Sequence, residues 1–430
     1  MPRRGKGAAI LLALALFPFP ARAEGTFSGW VEAKGLAYPH EGDPERDGWM
    51  TSRLAWESRV TPHLLLRASG DFDLDTHGEV DRRSFYDPSD RALERAPARI
   101  EDLSATWTMP AWDVAIGKMI LPWGRADVWN PTDNLTPFDT LDPLDRARLS
   151  SWAIRGRLYR GATTVEGDFL PAPGVTRLPT ANGRWLPLPA SAPSPFPTGP
   201  SMVALEWQEG RATYPGVRLD NAAWAVKVDR RGSTCEGSIS HYQGWDDESV
   251  LLARPLLGPS TPATLVVALD RVQPRLSSTG ADLAFVRGRL AIRGEMAVDS
   301  RGAPANRGFT FFVLEAEWTE GNWRMIGGWA DIRGAAAVIT TASSLEQGAL
   351  PAIILHVERS VPTGAGASIQ VIRSLQGDGT LGRGEVSLPV GPSLRVSAGV
   401  EMIDGPRGTF LGAWRRNDRA LVRARWSFRR

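Results

Sequence analysis

Along most of this chain apolar and polar residues alternate one by one, the period of an extended strand whose two faces meet different media. In "HLLLRASGDFDLD", Leu64, Leu66, Ala68, Gly70, Phe72 and Leu74 share one face, while Leu65, Arg67, Ser69, Asp71, Asp73 and Asp75 share the other. In "GWMTSRLAWESRV", Met50, Leu54, Trp56 and Val60 oppose Thr51, Arg53, Glu57 and Arg59. The split recurs where Leu290, Ile292, Met296 and Val298 oppose Arg293, Glu295 and Asp299, and where Leu394, Val396, Val400 and Met402 oppose Arg395, Ser397 and Glu401. The final "ALVRARWSF" sets Val422, Ala424, Trp426 and Phe428 against Arg423, Arg425 and Ser427. Such a chain must become sheet, and what covers its greasy face decides the fold.

A soluble sandwich alternates as well, so the connections decide. Turns of a few residues follow the strands ending near Val60, Met109, Tyr159, Arg230 and Arg287. Between them run long connections, near 38–47, 76–98, 122–149, 171–220 and 244–276, rich in Pro, Gly and Asp. That alternation matches a transmembrane barrel with short turns on one side of the membrane and longer loops on the other. The expected fold is therefore all-β: a transmembrane antiparallel β-barrel of about 18 strands, an even number that leaves both termini periplasmic. Segment lengths fit the roughly 9 to 11 residues that a tilted spanning strand needs. The aromatics at segment ends, Trp30, Trp49, Trp112, Trp152, Trp323, Trp426 and Phe428, are assigned to interfacial girdles, where a ring with one polar edge is at home.

The address agrees. Arg3, Arg4 and Lys6 precede an apolar run from Ala8 to Phe17, and Ala21-Arg22-Ala23 follows. This is the layout of a secretory signal peptide over 1–23, cleaved before Glu24, which leaves 24–430 as a single barrel. Without Arg3, Arg4, Lys6 and Arg22, the 50 basic residues become 46 against 48 acidic ones, a net charge of −2. Nucleic acid is excluded as a partner, since phosphate binding needs a clustered basic excess. Cys235 is the single cysteine, so neither an internal disulfide nor a cysteine-based zinc site can form. The five histidines lack paired ligand spacing, and no cofactor is expected.

The most elaborate connection begins in "AIGKMILPWGRADVWNPTDNLTPFD", Ala115 to Asp139. Asp127, Asp133, Asp139, Asp142 and Asp145 alternate with Arg125, Arg146 and Arg148, so internal pairing can hold one shape. Pro131, Pro137 and Pro143 reduce the disorder to be given up. The expectation is a loop packed against the lumen wall that narrows the pore; a solvated outer cap and a calcium site built from the aspartates are the alternatives. Gly117, Lys118 and the loop motif Trp123, Gly124, Arg125, Asn130, Pro131 and Asp133 resemble a segment of a group of porin-like outer-membrane proteins. The last stretch, "GTFLGAWRRNDRALVRARWSF", is similar to the closing hairpin of many outer-membrane barrels. Their final strand ends in a Phe read by the barrel assembly machinery; here Phe428 is followed by Arg429 and Arg430. The resemblance implies an outer-membrane channel, in outline like porins and polysaccharide-export barrels.

Together these features point to passive diffusion of small polar or charged solutes and to no enzymatic chemistry. The residues expected to line the pore are Arg53, Glu57, Arg59, Arg67, Asp71, Asp73, Arg155, Arg157, Arg293, Glu295, Arg395, Glu401, Arg423 and Arg425. The expected partners are outer-membrane lipid, the assembly machinery and the solutes, with a homo-oligomer left open. An exporter for an acidic polysaccharide is the second reading, and a secreted carbohydrate-active or carbohydrate-binding β protein the third. Asp71 and Asp73 share a face, as paired hydrolytic carboxylates would, but Arg67 shares it too, which favours a charged wall.

Overall fold

The computed structural model describes residues 25–40, 45–81, 83–193, 202–256, 264–334 and 348–430. The leader expected over 1–23 lies outside the described residues. The strands are β1 (Gly25–Ala37), β2 (Arg46–Arg59), β3 (Leu64–Asp75), β4 (Ala98–Met109), β5 (Trp112–Met119), β6 (Phe138–Asp139), β7 (Ala147–Arg148) and β8 (Ser151–Arg160). There follow β9 (Thr163–Ala172), β10 (Ser191–Pro193), β11 (Met202–Thr213), β12 (Ala223–Arg231), β13 (Cys235–Trp245), β14 (Val250–Pro255), β15 (Thr264–Val272) and β16 (Arg275–Arg287). The chain ends with β17 (Leu290–Arg301), β18 (Arg307–Glu320), β19 (Trp323–Gly334), β20 (Ala352–Ser360), β21 (Gly366–Ser374), β22 (Thr380–Val390), β23 (Leu394–Asp404) and β24 (Arg419–Arg429).

Eighteen of these strands form one sheet. Each pairs antiparallel with its neighbours, and β1 pairs with β2 on one side and β24 on the other, so the sheet closes. Closure satisfies every strand edge, which an open sheet of this size would leave exposed. The expected antiparallel barrel is thus found, and the start of β1 meets the end of β24 at the end carrying the short turns, where Phe27 N donates to Arg430 O (2.9 Å). Gly288 sits at φ 60° in the turn between β16 and β17, a left-handed backbone that lets two residues reverse the chain.

Alternation sorts the two faces. Ile239 (68 % exposed) and Ile369 (62 %) stand outward with Ile116, Leu158, Leu355, Val400 and Met402. A continuous exposed apolar belt of this kind is what a lipid-embedded barrel presents. Trp112, Trp323 and Trp426 are exposed, each near a strand end. Trp30 and Trp49 depart from the girdle assignment. Trp49 is buried and donates through Nε1 to Asp47 (2.9 Å), and Trp30 lies beneath the Arg53 and Arg425 guanidiniums. Their parity on β1 and β2 is that of Lys34 and Arg53, so proximity to a strand end was the weaker signal.

Two features of the long connections also depart from the sequence reading. The stretches read as plain loops near 171–220 and 244–276 carry a second sheet of four strands, in the order β10, β11, β15, β14, with β11 and β15 parallel. These segments pair with each other outside the barrel ladder. The lumen is also not polar throughout. Ala330, Ile354, Ile372, Leu381 and Ile403 are buried in one cluster with Leu350, Leu411, Trp414 and Trp129. Inward positions at the long-connection end of β19–β23 thus meet apolar loop side chains, where the sequence reading placed water.

Candidate functional site inside the barrel

Residues 120–150 leave β5, enter the lumen and return to β8. The expected inward packing is what the contacts describe, and they explain the loop motif. Arg125 and Ala126 donate their backbone N–H groups to Glu295 Oε1, the second at 2.6 Å. Asp127 and Val128 donate theirs to the Glu315 carboxylate (2.7 and 3.2 Å), and Thr132 Oγ1 donates to Glu295 Oε2 (3.2 Å). Two wall carboxylates therefore cap four consecutive loop amides, which would otherwise be buried without acceptors. The Arg125 guanidinium then ion-pairs with Asp229, Glu236 (2.5 Å) and Asp282, carried by three neighbouring wall strands. Trp123 Nε1 donates to Glu166 (2.7 Å), and Asn134 Nδ2 to Ser278 Oγ (3.0 Å).

Gly124 makes this descent feasible. Its φ is +91°, and a Cβ there would lie 2.6 Å from the Asn130 side chain and 2.9 Å from both Glu295 carboxylate oxygens. Gly124→Ala is expected to cost about 1–3 kcal/mol through left-handed strain and displacement of that carboxylate. The check is a lower temperature for loss of the compact band in semi-native gels; an unchanged transition would remove the close approach from the account.

The far side of the loop meets two other long connections and then the opposite wall at β1 and β24. Asp139 has no exposed surface and pairs with Arg95 (2.7 Å) and Arg177 (2.5 Å). Asp142 pairs with the buried Arg419 (2.7 Å), and Asp145 with Lys34 (2.6 Å). Burial alone would raise the carboxyls of Asp139 and Asp142, but Arg95 with Arg177, and Arg419 with Lys34, more than reverse it and hold both below the ordinary range. These aspartates are engaged by cations of the protein itself. Asp133, facing Arg148, is pushed up to about 6 because burial outweighs the guanidinium.

Glu79, in the connection 76–97, is pushed up to about 8 by burial, which Arg95 only partly offsets, and its Oε2 is buried without a hydrogen-bond partner. A folded-state value above the ordinary one means the folded barrel holds this proton more tightly than the unfolded chain does. Its contribution to stability is complete below the ordinary value of 4.5 and is lost as pH rises from there through about 8. Glu79→Gln is therefore expected to flatten the fall in melting temperature across that window, as measured by pH-resolved thermal unfolding in detergent.

Of the fourteen wall positions singled out in the sequence, most are engaged by neighbours. Arg53 pairs with Asp71 (2.6 Å) and Glu101 (3.0 Å), and Thr51 donates to Asp73 (2.7 Å). Arg155 pairs with Asp168 (2.9 Å), and Arg157 and Arg67 pair with Glu166 (2.5 Å) and Glu57 (2.7 Å) respectively. Arg293 meets Asp127 and Glu317 (both 2.8 Å), Glu401 meets Arg419, and Arg425 and Arg423 meet Glu32 (2.7 and 3.4 Å). Arg59 and Arg395 donate to the carbonyls of Pro62 (3.3 Å) and Gly364 (3.0 Å), near the short-turn end. The sequence reading missed Glu315, Asp229, Asp282, Lys34 and Arg419, the groups that hold the loop. All sit at alternate positions of strands, so parity could have found them, but their pairing with the loop could not be foreseen.

Beside the loop lies a cavity of about 450 Å³, bounded by Asp127, Asn130, Asp133 and Phe138 from the loop and by Asp246, Asp299, Arg301 and Phe309 from elsewhere. Asp127, on the cavity's lining, is paired behind it with Arg293 (2.8 Å) and Arg324 (3.0 Å). A closed barrel, apolar outside and charged within, with one connection folded inward over a polar cavity, defines the class of pore-type antiparallel β-barrels. Solved structures agree on the fold. OccAB4 of Acinetobacter baumannii superposes with a TM-score of 0.54 at 9 % identity, over 96 % of this chain and 100 % of that one. A BenF-like porin from Pseudomonas fluorescens Pf-5 gives 0.53 at 9 % identity, over 95 % and 99 %. OccK3 (OpdO) of Pseudomonas aeruginosa gives 0.52 at 9 % identity, over 95 % and 96 %. No family model matches the sequence, and no curated protein matches it.

Proposed function

We propose that this protein is an outer-membrane channel for passive diffusion of small polar or charged solutes. The observation that carries the reading is the inward loop, pinned to both walls of a closed barrel and leaving a cavity of about 450 Å³ beside it. The likeness of fold to a BenF-like porin supports the same class. In this reading the short-turn end and both termini face the periplasm, the leader over 1–23 is removed on export, and the strand ending at Phe428 is presented to the assembly machinery. The fourteen charged wall residues act as lumen lining. Their pairing makes them a fixed field that guides solutes without trapping them. Asp127, Asp133 and Asp299 with Arg148 and Arg301 put both signs of charge on the cavity lining, where a transverse field would orient dipolar solutes and slow apolar ones.

A polysaccharide exporter is disfavoured by a lumen occupied on one side by apolar loop side chains. A secreted carbohydrate-binding protein has no use for the outward apolar belt. Liposome swelling with sugars and charged solutes of graded size, run beside planar-bilayer recording, tests the proposal. Swelling that falls with solute size and discrete current steps are expected; a protein that inserts yet conducts nothing refutes it.

A further inference from the structure

On the outside of the barrel, the wall formed by β12, β13, β16 and β17 carries a groove of about 690 Å³. Its floor follows one line of cross-strand partners. Arg230 lies opposite Gly237, Gly237 opposite Leu283, and Leu283 opposite Gly294. Two inter-strand spacings separate Gly237 from Gly294, roughly 10 Å. Leu283 leans over Gly237, its Cδ1 3.2 Å from where a Cβ would sit, while nothing comes nearer than 3.8 Å to that point on Gly294, so the belt is indented over Gly294 between Leu283 and Met296.

Charge is distributed along this groove in one direction. Arg230 lines it near the short-turn end, and Arg287 follows Leu283 and Phe285 on the same face. Both are exposed, and neither makes a side-chain hydrogen bond or ion pair among the described residues. The outward positions of β12, β13, β16 and β17 include no Asp or Glu, because the acids of these strands, Asp229, Asp282 and Glu295 among them, have the inward parity. Two uncompensated cations beside an apolar slot fit an amphiphile with an anionic head and an alkyl tail. A guanidinium also suits phosphate, which it can grip with two parallel N–H groups.

We propose that this groove is a binding site for one anionic glycerophospholipid of the surrounding leaflet, with an acyl chain lying over Gly294 beside Leu283 and the phosphate held by Arg230 and Arg287. The inference rests on the reading of the barrel as membrane-embedded. Such a lipid fills an indentation that mobile chains would pack poorly, and it neutralises cations at the polar boundary.

Native mass spectrometry of the purified barrel with added phosphatidylglycerol or phosphatidylethanolamine tests this. Gly294→Leu fills the slot without collision, since a Cβ there meets nothing nearer than 3.8 Å. It is expected to lower retention of phosphatidylglycerol about tenfold, a change that corresponds to about 1.4 kcal/mol. The variant Arg230→Gln with Arg287→Gln should lose the preference for phosphatidylglycerol while keeping weak binding of both lipids. Equal adducts for all variants overturn the proposal. So does a change in oligomeric state on Gly294→Leu with lipid binding unaltered, which would assign the groove to a second copy of the chain. Current recordings on the same preparations separate the two readings: open channels without a retained lipid refute the site alone, whereas a chain that fails to insert refutes the membrane reading beneath it.

Discussion

Replacing residues 132–145 with a short Gly-Ser linker is expected to raise single-channel conductance by about threefold, because ions move through the water-filled cross-section that this segment now occupies. The barrel itself should survive, since the eighteen-strand ladder closes through β1 and β24 with no contribution from the loop. Glu295→Ala with Glu315→Ala provides a gentler route to the same state. It strips the acceptors from the backbone amides of residues 125–128. Each buried amide left unsatisfied costs about 1–3 kcal/mol, enough in sum to populate undocked loop conformations. Planar-bilayer traces should then show noisy, intermittently larger currents. Unchanged conductance in both variants would mean that the loop does not set the narrowest passage.

Arg125→Ala is expected to have the second large effect, this time on selectivity. The single positive charge of this side chain is shared among Asp229, Glu236 and Asp282. Removing it leaves the carboxylates of the buried Asp229 and Asp282 and the half-buried Glu236 mutually repelling, at a cost below the about 3–5 kcal/mol of a fully buried pair. Lys227, 3.7 Å from Asp282, compensates only in part. The lumen wall would gain exposed negative charge, and reversal potentials in a salt gradient should move toward cation preference. Arg125→Lys is expected to fall between, since an ammonium keeps the charge but cannot span three carboxylates as the planar fork does. A reversal potential equal to wild type in the Ala variant would remove Arg125 from the pore field.

The two sides of the loop should answer pH differently. Asp139 and Asp142 are held below the ordinary carboxylate range by Arg95 with Arg177 and by Arg419 with Lys34, so their stabilisation is present above that range and lost only as pH falls well beneath it. Asp133, raised to about 6, behaves oppositely: its contribution to the docked loop is complete below the ordinary value of 3.8 and is lost as pH rises from there through about 6. The far anchor therefore persists through mildly acid pH, while the segment around Asp133 responds between 3.8 and about 6.

Much of the architecture was legible because alternation is a local property. Strand number, short turns and the outward belt all follow from which residues sit two apart, and the positions of Arg53, Asp71, Arg293 and Glu401 could be read from parity alone. The inward loop was foreseen from its balanced charges and prolines, although its anchors were not. Glu295 serves the loop as an amide acceptor, a role no strand pattern distinguishes from wall lining. Trp30 and Trp49 were misplaced because their nearness to a strand end was weighed above their parity.

The sequence by itself determined that the chain makes strands with one greasy and one charged face, since period two is set by backbone geometry within a few residues, and the alternation of short and long connections pointed to a closed sheet. Only the tertiary structure decided which charges meet. Asp142 and Arg419 are 277 residues apart, and Arg125 and Asp282 157. The same closure that satisfies the strand edges brings distant walls within reach of one loop, and distance along a chain carries no record of distance across a barrel.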